Sequence, residues 1–70
     1  MQLEILERVE STVTEVTYTL QDETSAFYYK EWMNQKGKVI DSLLRDKDGH
    51  EIDDPELLEQ VQELVDSQYP

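Results

Sequence analysis

The stretch "DDPELLEQVQELVDSQY", residues 53–69, constrains the chain more than any other. Leu57, Leu58, Val61, Leu64 and Val65 recur at helical spacing and form one apolar stripe on a helix of about four turns. Asp54 suits the N-cap with Pro55 at the first helical position, or Asp53 caps with Glu56 completing a capping box. A helix with one apolar stripe must bury that stripe against whatever precedes it. Here the preceding residues carry the pattern of strands.

"TVTEVTYTLQD" alternates Val16, Tyr18 and Leu20 with threonines, which is strand pattern and strand composition together. A helical alternative also exists, because Leu6, Val9, Val13, Val16 and Leu20 are spaced 3, 4, 3, 4. Thr12, Thr14, Thr17 and Thr19 favour strand for the second half. Residues 3–10 stay open between helix and strand. "AFYYKEWMN" and "KVIDSLLRD" flank "QKGK" and read as a β-hairpin, with Gly37 where positive φ is needed. Val39, Ile40, Leu43 and Leu44 also fit one face of a short helix. The aromatics before the turn favour the hairpin. The expected fold is therefore α+β, one domain over residues 1–70. It is a small antiparallel β-meander of three to four strands with the C-terminal amphipathic helix packed on one face.

One helix covers one face of a sheet. Alternation puts Phe27, Tyr29 and Met33 opposite Tyr28 and Trp32, and Val39 and Leu43 opposite Ile40 and Leu44. The second face then needs the N-terminal segment, a twin subunit or another protein to cover it.

Charge narrows the function class. Seventeen acidic residues against six basic give −11, and the acid is unevenly placed: −5 over residues 1–29, +2 over 30–47 and −8 over 48–70. Apolar patterning this regular argues for a folded domain over a disordered acidic tail. The balance fits a basic partner, or plain solubility. Cysteine is absent, so no disulfide staples the fold and no thiolate can act, which fits a reducing compartment. Glutamates in "MQLEILERVEST" interrupt the apolar run an export signal needs, and no segment approaches the roughly 20 apolar residues of a membrane span. The expectation is a cytoplasmic protein with no membrane contact.

"RDKDGHEIDD", residues 45–54, is the one segment that resembles a site for chemistry. Aligned on Gly49, an EF-hand loop would put its first ligand on Leu44, its aliphatic position on Glu51 and its bidentate glutamate on Pro55. Three failures dismiss it. A looser site could draw on Asp46, Asp48, His50, Glu51 and Asp53, but Asp and Gly are also what turns and helix caps use. The expectation is a turn followed by a cap, with no metal and no cofactor.

Catalysis has no constellation to rest on. The only histidine sits in that turn, no activated nucleophile accompanies it, and two glycines make no phosphate loop. No catalytic residue is expected, and the chain reads as a binding module.

Two surfaces compete for that role. Glu56, Glu59, Glu63 and Asp66 step 3, 4, 3 along the helix opposite its apolar stripe, a row of four carboxylates over about 15 Å. Opposite charges at i,i+4 normally stabilise a surface helix, yet this one has no base, even in its last turn. With Asp48, Asp53 and Asp54 nearby, these acids are the expected contact with a basic protein surface, including one that holds nucleic acid. A globule of this size spans somewhat under about 30 Å, over which a duplex carries about 16 charges. The alternative is the sheet face with Tyr28, Lys30, Trp32, Ile40 and Leu44, through which an accessory factor would bind a constitutive partner or itself as a homodimer. Tyr28, Lys30 and Trp32 could also stack nucleic-acid bases, but the field of −11 disfavours direct nucleic-acid binding.

In size and charge, and with no motif behind the likeness, the chain is similar in general character to phage-encoded inhibitors of host nucleic-acid enzymes, anti-restriction and anti-CRISPR proteins among them. The likeness implies an acidic inhibitor or nucleic-acid mimic and assigns no residue.

Overall fold

The computed structural model describes residues 2–12 and 14–69, with the side chain of Thr12 left aside. Four strands, β1 (Glu4–Thr12), β2 (Glu15–Gln21), β3 (Ala26–Met33) and β4 (Val39–Asp46), form one antiparallel sheet in chain order. Helix α1 (Pro55–Gln68) follows. Both segments that sequence left open are strands. Val13, part of the helical alternative, lies outside the described residues. Of its companions, Leu6 and Val9 are exposed while Val16 and Leu20 are buried, so period 2 decides this region.

Cross-strand partners share a face of the sheet, and the register therefore sorts the side chains. Tyr18 pairs with Tyr29 and Tyr29 with Leu44, while Leu20 pairs with Phe27. These residues and Val16 make the core, which Val61 and Val65 of α1 close from above. Leu57, Leu58 and Leu64 flank that contact, with Ile5, Met33 and Ile52 packed around it.

The helix begins where its local chemistry dictates. Asp54 is the N-cap, its carboxylate accepting from the Leu57 N–H at 3.2 Å, and Pro55 opens the first turn. At the other end the last turn has no basic residue. A cation arrives instead from β1: Arg8 lies 5.2 Å over the ring of the C-cap residue Tyr69 and donates to the Tyr18 hydroxyl at 3.3 Å. The helix thus spans the sheet from the β4 side to the β1 side.

Two turns of the same construction organise the β4 side. In "NQKGK" the Gly37 N–H donates to Asn34 O, and the Asn34 carboxamide oxygen accepts from the N–H groups of Lys36 and Lys38 at 2.9 and 3.1 Å. In "DKDGH" Gly49 donates to Asp46 O, and Asp46 Oδ1 accepts from Asp48 and His50 at 2.9 and 3.0 Å. Gly37 and Gly49 take φ of 81° and 88°, the left-handed region that an L side chain occupies only at a cost. After the second turn the chain doubles back along β4, with Arg45 bridged to Glu51 and Ile52 N–H donating to Leu44 O. Residues 45–54 are therefore the end of β4, a turn, an isolated bridge back to β4 and a helix cap.

The other edge, β1, carries two register shifts, between Ile5 and Glu7 and between Glu10 and Thr12. Bulges and charges such as Glu4, Glu7 and Glu10 discourage edge-to-edge pairing with another sheet.

Candidate functional site

Helix α1 carries the expected acidic row on its outer side. At about 100° per residue, Glu56, Glu59, Glu63 and Asp66 fall within an arc of about 80°, opposite Val61 and Val65. All four are exposed, and among the described residues none is in an ion pair. The ion pairs formed by described basic residues lie elsewhere: Arg8 with Glu10, and Lys30 with Glu15. Asp53 is exposed at the helix entrance. Asp54 is committed to the cap. Asp48 is exposed in the preceding turn and extends the acidic surface beyond the helix.

The turn itself brings ligand atoms of Asp46, Asp48 and His50 within 4.8 Å of one another. Glu51 and Asp53, candidates from sequence, stand outside that group. Asp46 Oδ1 is already engaged by two backbone N–H groups, and those bonds, that from His50 foremost, hold the carboxyl below its ordinary value of 3.8. Its Oδ2 stands 3.8 Å from His50 Nδ1. Shape and hydrogen bonding of the turn account for these residues without a ligand.

The sheet face away from α1 differs from expectation at two residues, Leu44 and Ile40. Tyr28, Lys30 and Trp32 do share it, but Leu44 does not. Leu44 pairs with Tyr29 and is 3% exposed beneath the helix. Its neighbours Leu43, opposite Lys30, and Arg45, opposite Tyr28, occupy the uncovered face instead. Ile40 falls in the register shift between the Trp32–Asp41 and Met33–Val39 pairs and stands 65% exposed without a cross-strand partner. That extra residue changes the alternation, so Ile40 and Leu44 are no longer one set.

The basic residues do not converge. Lys30 is held by Glu15 and lies 5.4 Å over the Trp32 ring. Lys36 and Lys38 occupy the turn at one end of β4 and Lys47 the turn at the other. Only Arg45 joins Lys30 beside a shallow depression of about 260 Å³ lined also by Thr17, Tyr28, Leu43 and Gly49.

Sequence reasoning passed over Glu31. It is 7% exposed, on the core side of β3 between Val16 and Ser42, and accepts a hydrogen bond from the Tyr29 hydroxyl at 2.8 Å. The signal was present, since Glu31 has the parity of Phe27, Tyr29 and Met33.

No family model, curated protein or solved structure matches the chain. None of the described helices is long and apolar enough to cross a membrane.

Proposed function

We propose that this protein is a binding module that docks the outer face of α1 on a basic surface of another protein, as an inhibitor or adaptor, without catalysing a reaction. The observation that supports this reading is the uncompensated row of Glu56, Glu59, Glu63 and Asp66, flanked by Asp48 and Asp53. Like charges at i,i+4 cost an isolated helix a few tenths of a kcal/mol each, and among the described residues no base forms an ion pair with them. A basic partner would supply the missing countercharge and speed encounter by steering. The longest dimension of the molecule is 36 Å, over which duplex DNA carries about 21 charges, roughly twice the net charge of this chain. Charge density thus favours docking on a protein's basic patch, a nucleic-acid-binding protein's included, over imitation of a duplex along its whole length.

Capture from cell lysate at low and high salt, with wild type and with Glu59→Lys/Glu63→Lys, tests the reading. The expected result is a basic partner held by wild type at low salt, released at high salt and absent with the double variant. A partner retained equally by both proteins at both salts would remove the helix face from the function.

A further inference from the structure

We propose that the uncovered sheet face is a homodimer interface, in which two copies pack face to face about a twofold axis parallel to the strands. A twofold interface requires one patch to be complementary to itself. The register gives this face that property. One row across the sheet reads Glu7, Thr19, Tyr28, Arg45, and the next reads Val9, Thr17, Lys30, Leu43. Acid therefore lies on the β1–β2 half with Glu7 and base on the β3–β4 half with Arg45, while Glu15 and Lys30, one on each half, are already paired with each other. Asp41, paired with Trp32 at the end of the face, is the one acid on the basic half.

A twofold axis parallel to the strands lays β1 of one copy over β4 of the other and keeps each row over itself. Glu7 then meets Arg45 of the second copy, and Val9, 45% exposed in the single chain, meets Leu43. Both contacts occur twice. The twofold axis at right angles, also in the plane between the sheets, would put β1 over β1 and so the acidic half over the acidic half. Charge thus selects one arrangement, and it is the aligned packing that twisted sheets favour, at about 30°.

Size sets the strength. Four strands about 4.8 Å apart and about seven residues long at 3.3 Å each offer about 440 Å² per copy, or about 900 Å² in all. That is below the roughly 1,200 Å² of a standard interface, so the dimer is weak and reversible. Two globules of charge −11 also repel, over a range of about 30 Å at 0.01 M salt and about 8 Å at 0.15 M. Dimerisation therefore strengthens as salt rises through this interval, the opposite of docking through α1. The two surfaces lie on opposite sides of the sheet, and the proposal stands apart from the helix reading. In the dimer both acidic helices face outward, giving one particle two docking faces.

Sedimentation equilibrium over a range of concentrations at about 0.15 M salt tests it. The mass should climb from 8.3 kDa toward twice that value, with the emission of Trp32, the only tryptophan, shifting in step. Glu7→Arg and Arg45→Glu should each weaken dimerisation about tenfold or more, because like charges then face each other at both symmetric contacts. Glu7→Arg/Arg45→Glu keeps the wild-type net charge and should restore association to within about threefold. Glu59→Arg changes net charge as Glu7→Arg does, on the far side of the molecule, and should not weaken it. All three positions are exposed, so the fold tolerates the changes. A monomer at every concentration and salt overturns the proposal. So does a dimer indifferent to the single reversals, or a double reversal that fails to restore it.

Discussion

Tyr29 donates its hydroxyl hydrogen to the Glu31 carboxylate at 2.8 Å, and both side chains lie on the sheet face covered by α1. They are two residues apart on β3, so the pleat aims both at the core. Gln62 of the helix and Ser42 of β4, 3.4 Å apart, stand beside them. Removing one partner strands the other: Tyr29→Phe and Glu31→Leu should each cost about 1–3 kcal/mol. The double variant Tyr29→Phe/Glu31→Leu should cost less than the two added together, because neither position then keeps a polar group that has lost the other. Urea unfolding of the four proteins measures the coupling, and strict additivity would show that the pair does not act as a unit.

The same burial makes stability fall in alkali. Desolvation lifts the Tyr29 hydroxyl well above its ordinary value of 10.0, and lifts Tyr18 despite the hydrogen bond from Arg8. The native state therefore keeps these protons after the unfolded chain has lost them. Their contribution is complete below about pH 10 and declines as pH rises through the folded values. Unfolding free energy measured from about pH 9 to 12 should slope downward, and less steeply in Tyr29→Phe. An unchanged slope in that variant would assign the alkaline loss to other groups.

The twin turns predict the reverse behaviour in acid. Asp46 does in one turn what Asn34 does in the other, accepting two backbone N–H groups on a single oxygen. The depressed carboxyl of Asp46 contributes stability above its ordinary value of 3.8 and loses it as pH falls through the folded value. Asp46→Asn keeps the accepting oxygen but not its charge, so it should give up at neutral pH only the part that wild type loses in acid, and the acid loss should shrink. Some acid loss should persist, because Asp22 is held low in the same way by the N–H groups of Thr24 and Ser25. Asp46→Ala should weaken the protein at every pH. Thermal unfolding of both variants across the acid range distinguishes them.

Asp54 belongs to the helix before it belongs to any partner. Asp54→Ala should cost about 1 kcal/mol, and Asp54→Ser or Asn should recover most of it, because either side chain still caps. Chemical denaturation reads this directly. If Asp54→Ser keeps stability yet weakens capture of a basic partner, the charge of Asp54 acts in docking as well.

Much of this structure is written in neighbouring residues. The start of α1 at Asp54 and Pro55, the turn at Gly37 and the strand pattern of Val16, Tyr18 and Leu20 need only local hydrogen bonds, φ preferences and period-2 alternation. The row of acids on α1 follows from spacing alone. β1 was not legible for a definite reason. Leu3 and Ile5 turn toward the core before the register shift and Arg8 after it, so the alternation changes parity midway and matches neither template.

The uncovered face shows the same limit. Sequence joined Ile40 to Leu44, and a single unpaired residue at Ile40 separated them, burying Leu44 and presenting Leu43 and Arg45 in its place. Composition, element type, helix cap and acidic face were determined by the sequence itself, because each depends on residues a few positions apart. Which side chains share a face, that Glu31 lies buried against Tyr29, and that Glu7 and Arg45 end one row were decided by strand pairing. Register is set by contacts between residues far apart in the chain, and a bulge that costs little locally redirects every side chain beyond it.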